Sequence, residues 1–249
     1  MIKNIVFDIS GVLADFRMKE FLVEKGFDPL TIKRIIKASV FSPFWGMFER
    51  GEISEEEALL GFTTVDPGIE AELRTAYTNI TGMLTARDFA IPLIRELKGR
   101  GFRTYYLSNY SEKAYNECGE SLSFMEYMDG GLVSFKVGKT KPDPNFFKAF
   151  LEKYDLPASE CIFVDDTEEN VVAAKKLGFH GIVFSSYEQL MPEILKIESD
   201  NGNNMDRAAE IRRSIDEHTE ERAKIVQQML EEKKSPSLIK SIMDRLSGE

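Results

Sequence analysis

The chain of 249 residues carries 32 Lys and Arg against 42 Asp and Glu, a formal net charge of −10, with 43% hydrophobic and 30% charged residues. That length and composition allow one large globular domain, or a core domain with an insert or appendage, while the charge excludes the broad basic surface that nucleic-acid binding needs. Two cysteines, Cys118 and Cys161, are too few for a disulfide framework; with no apolar run near the roughly 18 residues of a membrane span and no secretory-signal pattern, the expectation is a cytoplasmic protein without membrane contact.

Four short β-rich runs stand out along the chain: "KNIVFD" (3–8), "FRTYYLSN" (102–109), "CIFVDD" (161–166) and "HGIVFSS" (180–186). Between and after them lie the helical patterns "ARDFAIPLIRELKGRG" (86–101), "SEKAYNECGESL" (111–122), "PNFFKAFLEKYDL" (144–156) and "TEENVVAAKKLGF" (167–179). Near-continuous apolar strands alternating with helices predict a parallel α/β sheet covered on both faces. Residues 16–85 break the alternation with four helix-like stretches, one opened by Ser54 and a run of glutamates, an N-terminal signal. They read as a helical insert after the first strand. "SDNGNNMD" (199–206) reads as a linker. Beyond it Ile211, Ile215, His218, Arg222, Ile225 and Met229 recur at alternating four- and three-residue spacing, either a short dimer seam or a face packed on its own core. The expected division is a core over 1–15 and 86–197, an insert over 16–85, a linker over 198–205 and a helical extension over 206–249.

Three of the β runs end in chemically capable residues: Asp8, Ser108-Asn109 and Asp165-Asp166. In open parallel sheets ligands bind at the carboxyl ends of strands, so these residues are expected to converge. Each piece has a plainer reading as well. A Ser-Asn pair can be a turn, "KPDP" (141–144) a proline-fixed loop, and Asp-Asp the start of a helix whose dipole favours carboxylates.

In their order, "FDISGVL", "YYLSNY", "GKTKPDPNFF" and "IFVDDTEENVVAAKKLGF" resemble the four motifs of the haloacid dehalogenase-like (HAD) hydrolase superfamily, over roughly residues 1–197. The insert is similar in position to that family's type 1 cap. "FERGEISEEE" (48–57) and the lack of a second aspartate at position 10 resemble the subgroup of sugar-phosphate phosphatases that includes an α-glucose-1-phosphate phosphatase. The resemblance implies a three-layer Rossmann-like core with a helical cap and the C-terminal extension. It also implies a Mg²⁺-dependent phosphatase of a small phosphorylated metabolite, sugar phosphates first.

By the same resemblance Asp8 is the nucleophile, and Asp8, the Ser10 carbonyl and Asp166 are metal ligands. Asp165 is a further ligand or an orienter of bound water. Ser108 and Asn109 bind phosphoryl oxygens, Lys141 offsets charge, and Asn170 is a further polar group of the last motif. Dehalogenating members attack carbon without a metal and lack the double acid, so Asp165-Asp166 favours phosphoryl chemistry. A retired protein that only binds a ligand or partner is the alternative.

Ser10 stands where most family phosphatases keep the aspartate that serves as general acid, a function worth about 10²–10⁴-fold. Three readings are open: substrates with better leaving groups, a proton from the cap with Glu49 as candidate, or a slow site. Within "SVFSPFWGMFERGE" (39–52), Trp45, Phe48, Glu49 and Arg50 are the candidates for the substrate side, the other aromatics being core. Cys118, Cys161 and His180 read as structural.

Overall fold

The computed structural model describes residues 1–202. Contacts divide the chain into two units, Ile2–Ile197 and a second taking in Met1 and Glu198–Glu249. In the second, residues 198–202, expected as linker, are helical. The rest of the expected linker, the extension over 206–249 and its dimer seam lie outside the described residues.

The first unit opens with β1 (Asn4–Phe7) and a short strand β2 (Ala14–Phe16). Five helices follow: α1 (Met18–Glu24), α2 (Pro29–Ala38), α3 (Pro43–Glu49), α4 (Glu55–Val65) and α5 (Glu70–Tyr77). The chain returns through β3 (Leu84–Ala86) to α6 (Ala90–Gly99), β4 (Arg103–Ser108), α7 (Glu112–Glu117), β5 (Gly130–Val133), α8 (Pro144–Tyr154), β6 (Cys161–Asp165), α9 (Glu168–Lys176) and β7 (His180–Val183). Residues 187–197 are again helical.

Five strands form one parallel sheet in the order β5-β4-β1-β6-β7, with β1 at its centre. Alternate side chains go to opposite faces. Ile5 and Phe7 join one apolar cluster with Leu93 and Leu97 of α6 and with Leu190 and Ile194. Val6 joins the other, with Phe146, Phe147 and Phe150 of α8 and Val171 and Ala174 of α9. The sheet is therefore the middle of three layers, as in Rossmann-like α/β folds. Phe147 meets Phe163 edge-on at 5.2 Å between ring centroids and 87° between planes, a preferred aromatic geometry.

β2 and β3 pair antiparallel, Ala14 opposite Ala86 and Phe16 opposite Leu84. The chain thus leaves the sheet and returns to it by adjacent strands. Sequence signals account for the helices between. Asp28 caps α2 by accepting from the Leu30 and Thr31 amides, with Pro29 in the first turn. Ser54 and Glu57 form a reciprocal capping box on α4. Ser54→Ala is expected to cost about 1 kcal/mol of stability, read by urea unfolding.

The structure differs from expectation at several elements, among them the helix α3, which none of the four helix-like stretches of the insert covered. β5, "GGLV", escaped notice because two glycines and four residues carry no periodicity. β2 and β3 are three residues each, too short to alternate. The helix expected from 86 starts at Ala90 because Leu84–Ala86 is taken up by β3. The helix expected over 111–122 stops at Glu117, just ahead of Gly119, and tightens into 3-10 turns over Gly119–Tyr127.

Candidate active site

Asp8 follows β1 directly, Ser108 closes β4 and Asp165 closes β6. Because β4 and β6 flank β1 in parallel, the three residues share the carboxyl edge, with Asp8 in the middle. The Asp8 amide still donates to the Val164 carbonyl at 2.8 Å, so the side chain is launched from a fixed backbone.

Three donors converge on Asp8 Oδ1: Ser108 Oγ at 2.5 Å, the Ile9 amide at 2.7 Å and Lys141 Nζ at 2.8 Å. Lys141 Nζ also donates to Asp165 Oδ2 at 2.7 Å. Its backbone is clamped by the Asn109 side chain, whose Oδ1 accepts from Lys141 N at 2.8 Å and whose Nδ2 donates to Lys141 O at 3.1 Å. Asp165 is fully buried and held in place, accepting also from the Thr167 amide at 2.9 Å and Asn170 Nδ2 at 3.0 Å.

Gly11 lies at φ +79°, and a Cβ there would sit 2.2 Å from Asp166 Oδ2. Only glycine allows the first loop and Asp166 to approach so closely.

Burial pushes the Asp8 carboxyl up to about 6, with Lys141 pulling it down and Asp165 pushing it up. Burial alone would lower the Lys141 ammonium, but Asp8 and Asp165 reverse this and hold it above the ordinary lysine range. The carboxylates of Asp8, Asp165 and Asp166 offer oxygens within 4.8 Å of one another, and Lys141 alone offsets them within the cluster. A hard divalent cation fits this set, since it takes oxygen ligands and supplies the missing positive charge. Asp8 and Asp166 have the roomier carboxylates for it, because those of Asp165 are engaged by Lys141, Thr167 and Asn170.

Asp8 and Asp166 of this cluster lie on the floor of a cavity of about 470 Å³. Of the residues singled out in the sequence, Asp8, Ser10, Ser108, Asn109, Lys141 and Asp166 line it from the sheet edge, joined by Asn170. Trp45 and Glu49 line it from α3. Three do not reach it. Asp165 stands behind the floor. Arg50, expected on the substrate side, instead turns to Glu52, with Nε and Nη2 donating at 2.7 and 2.9 Å, because this carboxylate two residues on satisfies the guanidinium fork. Phe48 is buried in the apolar core rather than facing the cavity.

Glu49 is half-buried, and its carboxyl is pushed up to about 7 by burial, opposed by Trp45 and Lys141 and reinforced by Asp8. Its backbone carbonyl accepts from Ser134 Oγ at 2.5 Å, and Ser134 Oγ also accepts from the Tyr110 amide at 2.8 Å. The end of α3 is thereby fastened to the sheet edge.

Sequence reasoning missed Tyr110, Phe16, Met83 and Leu84, all in the cavity wall. Tyr110 directly follows Ser108-Asn109, and that adjacency was the available signal. Its buried hydroxyl finds no hydrogen-bond partner of good geometry, with Ser10 beside it. Phe16, Met83 and Leu84 belong to the β2–β3 crossing, which carries no motif. Ser134 has no sequence signal at all.

A three-layer α/β fold with an acidic cluster at the central strand tip defines a class of hydrolases, and the comparisons with known proteins name it. Residues 2–178 match the family model of haloacid dehalogenase-like hydrolases, and the chain belongs to that family. It is 31% identical over 182 residues to a sesquiterpene phosphatase of Aspergillus oryzae, covering 72% of this chain and 88% of the relative. It is 26% identical over 196 residues to a D-ribitol-5-phosphate phosphatase of Bacteroides thetaiotaomicron, covering 72% and 90%. Among solved structures, a HAD family enzyme of Bacteroides thetaiotaomicron in complex with magnesium and inorganic phosphate superposes with a TM-score of 0.60 at 21% identity, covering 77% of this chain and 98% of that one. Among the described residues no helix is long and apolar enough to cross a membrane.

Proposed function

We propose that the protein is a Mg²⁺-dependent phosphoric monoester phosphatase that hydrolyses a small phosphorylated metabolite through an aspartyl-phosphate on Asp8. The observation that carries this reading is the meeting of Asp8, Ser108 and Lys141 with the Asp165–Asp166 pair at one edge of the sheet. Residues 16–85 act as a cap over that edge, and residues 1–15 with 86–197 as the catalytic core. A cytoplasmic location suits the two free, buried thiols.

Asp8 attacks phosphorus and later releases the phosphoryl group to water. Ser108 and Lys141, which touch Asp8, are placed to hold phosphoryl oxygens and to balance charge as it shifts, the main catalytic demand in phosphoryl transfer. Asp8, the Ser10 carbonyl and Asp166 would hold Mg²⁺, with Asp165 orienting the site. When bound, the ion neutralises charge on the phosphoryl group. The acid pair supports phosphoryl transfer over carbon–halogen cleavage, which needs no cation. A non-catalytic binding role has no feature in its favour that a working site lacks.

Sugar phosphates are the first candidates, in keeping with the D-ribitol-5-phosphate phosphatase among the relatives. A second reading, the phosphate of an apolar alcohol, is favoured by the wall of Phe16, Trp45, Met83 and Leu84 and by the sesquiterpene phosphatase. A turnover screen of sugar and prenyl phosphates, with Mg²⁺ and with chelator, tests both. Asp166→Asn is expected to lower kcat/KM by at least about 100-fold and to weaken Mg²⁺ binding while leaving the fold intact. Unchanged Mg²⁺ affinity would remove Asp166 from the metal site.

A further inference from the structure

We infer that Glu49 is the proton carrier of this site, giving a proton to the leaving oxygen of the substrate and then taking one from the attacking water. The inference rests on the phosphatase reading above and concerns the residue that substitutes for an acid at Ser10.

Expulsion of an alkoxide needs a proton donor at the leaving oxygen. The cavity lining offers few. Lys141 is committed to Asp8 and Asp165 by contacts of 2.8 and 2.7 Å. Asp166 belongs to the acidic cluster. Asp15 is paired with Arg87 at 2.7 Å. Burial raises the Tyr110 phenol far above the neutral range. Ser10 is a poor acid near neutrality, and Ser108 already donates to Asp8. Glu49 remains.

Its position suits the task. It lines the cavity from α3, together with Trp45, while the phosphoryl-binding groups line it from the sheet edge. A phosphate ester seated on Asp8 carries its leaving oxygen away from the floor, towards the face that α3 supplies. The Ser134 contact fixes the backbone of Glu49 to the segment that follows β4. The charged and titratable groups facing Glu49 are Asp8, Lys141, Arg50 and Tyr110. Burial brings its carboxyl to about 7, so both the acid and the base form are present at neutral pH.

The steps balance. An Asp8 carboxylate oxygen bonds to phosphorus as the bond to the leaving oxygen breaks, and that oxygen takes the Glu49 proton to leave as the alcohol. The Glu49 carboxylate then takes a proton from water as the water oxygen bonds to phosphorus. The Asp8–phosphorus bond breaks, releasing inorganic phosphate.

The test is Glu49→Gln in the full chain, assayed with Mg²⁺ on two substrates, an alkyl phosphate turned over by the wild type and p-nitrophenyl phosphate. The expected result is a fall in kcat/KM of about 10²–10³-fold on the alkyl phosphate and less than about 10-fold on the aryl phosphate, whose phenolate leaves without a proton. A burst of about one p-nitrophenol per active site should appear as the aspartyl-phosphate accumulates, and inhibition by inorganic phosphate should be unchanged. Equal losses on both substrates, or lost phosphate inhibition, would overturn the role of Glu49. A wild-type protein with no Mg²⁺-dependent turnover on any phosphate ester would instead overturn the phosphatase reading.

Discussion

Asp8→Asn is expected to yield a protein that is inactive yet more heat-stable than the wild type when metal is chelated. The loss of the attacking carboxylate should lower turnover by at least about 10⁴-fold. The gain in stability has a separate origin. In the fold the Asp8 carboxyl is raised from 3.8 to about 6, chiefly by burial, so ionising it costs the folded state more than the unfolded one. A group raised in this way contributes stability below its unfolded value and loses it as pH rises through the folded value. The wild type therefore weakens between about pH 4 and pH 6 relative to a variant with a neutral amide at this position. Above that window the gap should level off on the order of 3 kcal/mol. Thermal unfolding with chelator at pH 4 and pH 8 reads it directly. On the proposed metal site, addition of Mg²⁺ should narrow or reverse the gap, because only the wild type keeps all the proposed ligands. A variant no more stable than the wild type at pH 8 would show that the fold does not strain this carboxylate.

Gly11→Ala is expected to damage activity as well, though less, and for a steric reason. At φ +79° an alanine is strained by about 1–2 kcal/mol. Its Cβ would also lie 2.2 Å from Oδ2 and 2.5 Å from Cγ of Asp166. Asp166 is exposed and able to swing aside, so the chain should still fold. Swinging aside, however, removes its carboxylate from the cluster. The expected result is a loss of Mg²⁺ affinity of at least about 10-fold and a fall in kcat/KM of at least about 100-fold at fixed Mg²⁺. Excess Mg²⁺ should recover part of it. Wild-type Mg²⁺ dependence in this variant would mean that the first loop adapts without Asp166 moving.

Much of the sheet was legible because its strands are buried on both faces. "IVF", "CIFVD" and "TYYLS" can be little else when flanked by helical patterns. Their terminal residues were legible for the same reason, since parallel order alone gathers strand ends to one edge. What escaped detection is structure made by pairing rather than by composition. β5 depends on neighbouring β4, and β2 and β3 depend on each other across some seventy residues of sequence. The site divides in the same way. Asp8, Ser108, Lys141 and Asp166 stand in local motifs. The Asn109 clamp on Lys141, the Ser134 tie to Glu49 and the apolar wall arise only from tertiary approach. Arg50 misled because a guanidinium beside a candidate acid has a solvent-side carboxylate, Glu52, within easier reach.

The antiparallel pairing of β2 with β3 has a consequence for chain length. Ala14 opposite Ala86 fixes the two ends of the intervening segment side by side, whatever lies between them. Closing a longer segment across ends already held together adds only about 0.6 kcal/mol of loop entropy per doubling of its length. Helices can therefore be lengthened, shortened or exchanged between Phe16 and Leu84 with little effect on the register of the sheet. The contacts among Asp8, Ser108 and Lys141 do not pass through this segment, so such exchanges should leave them in place.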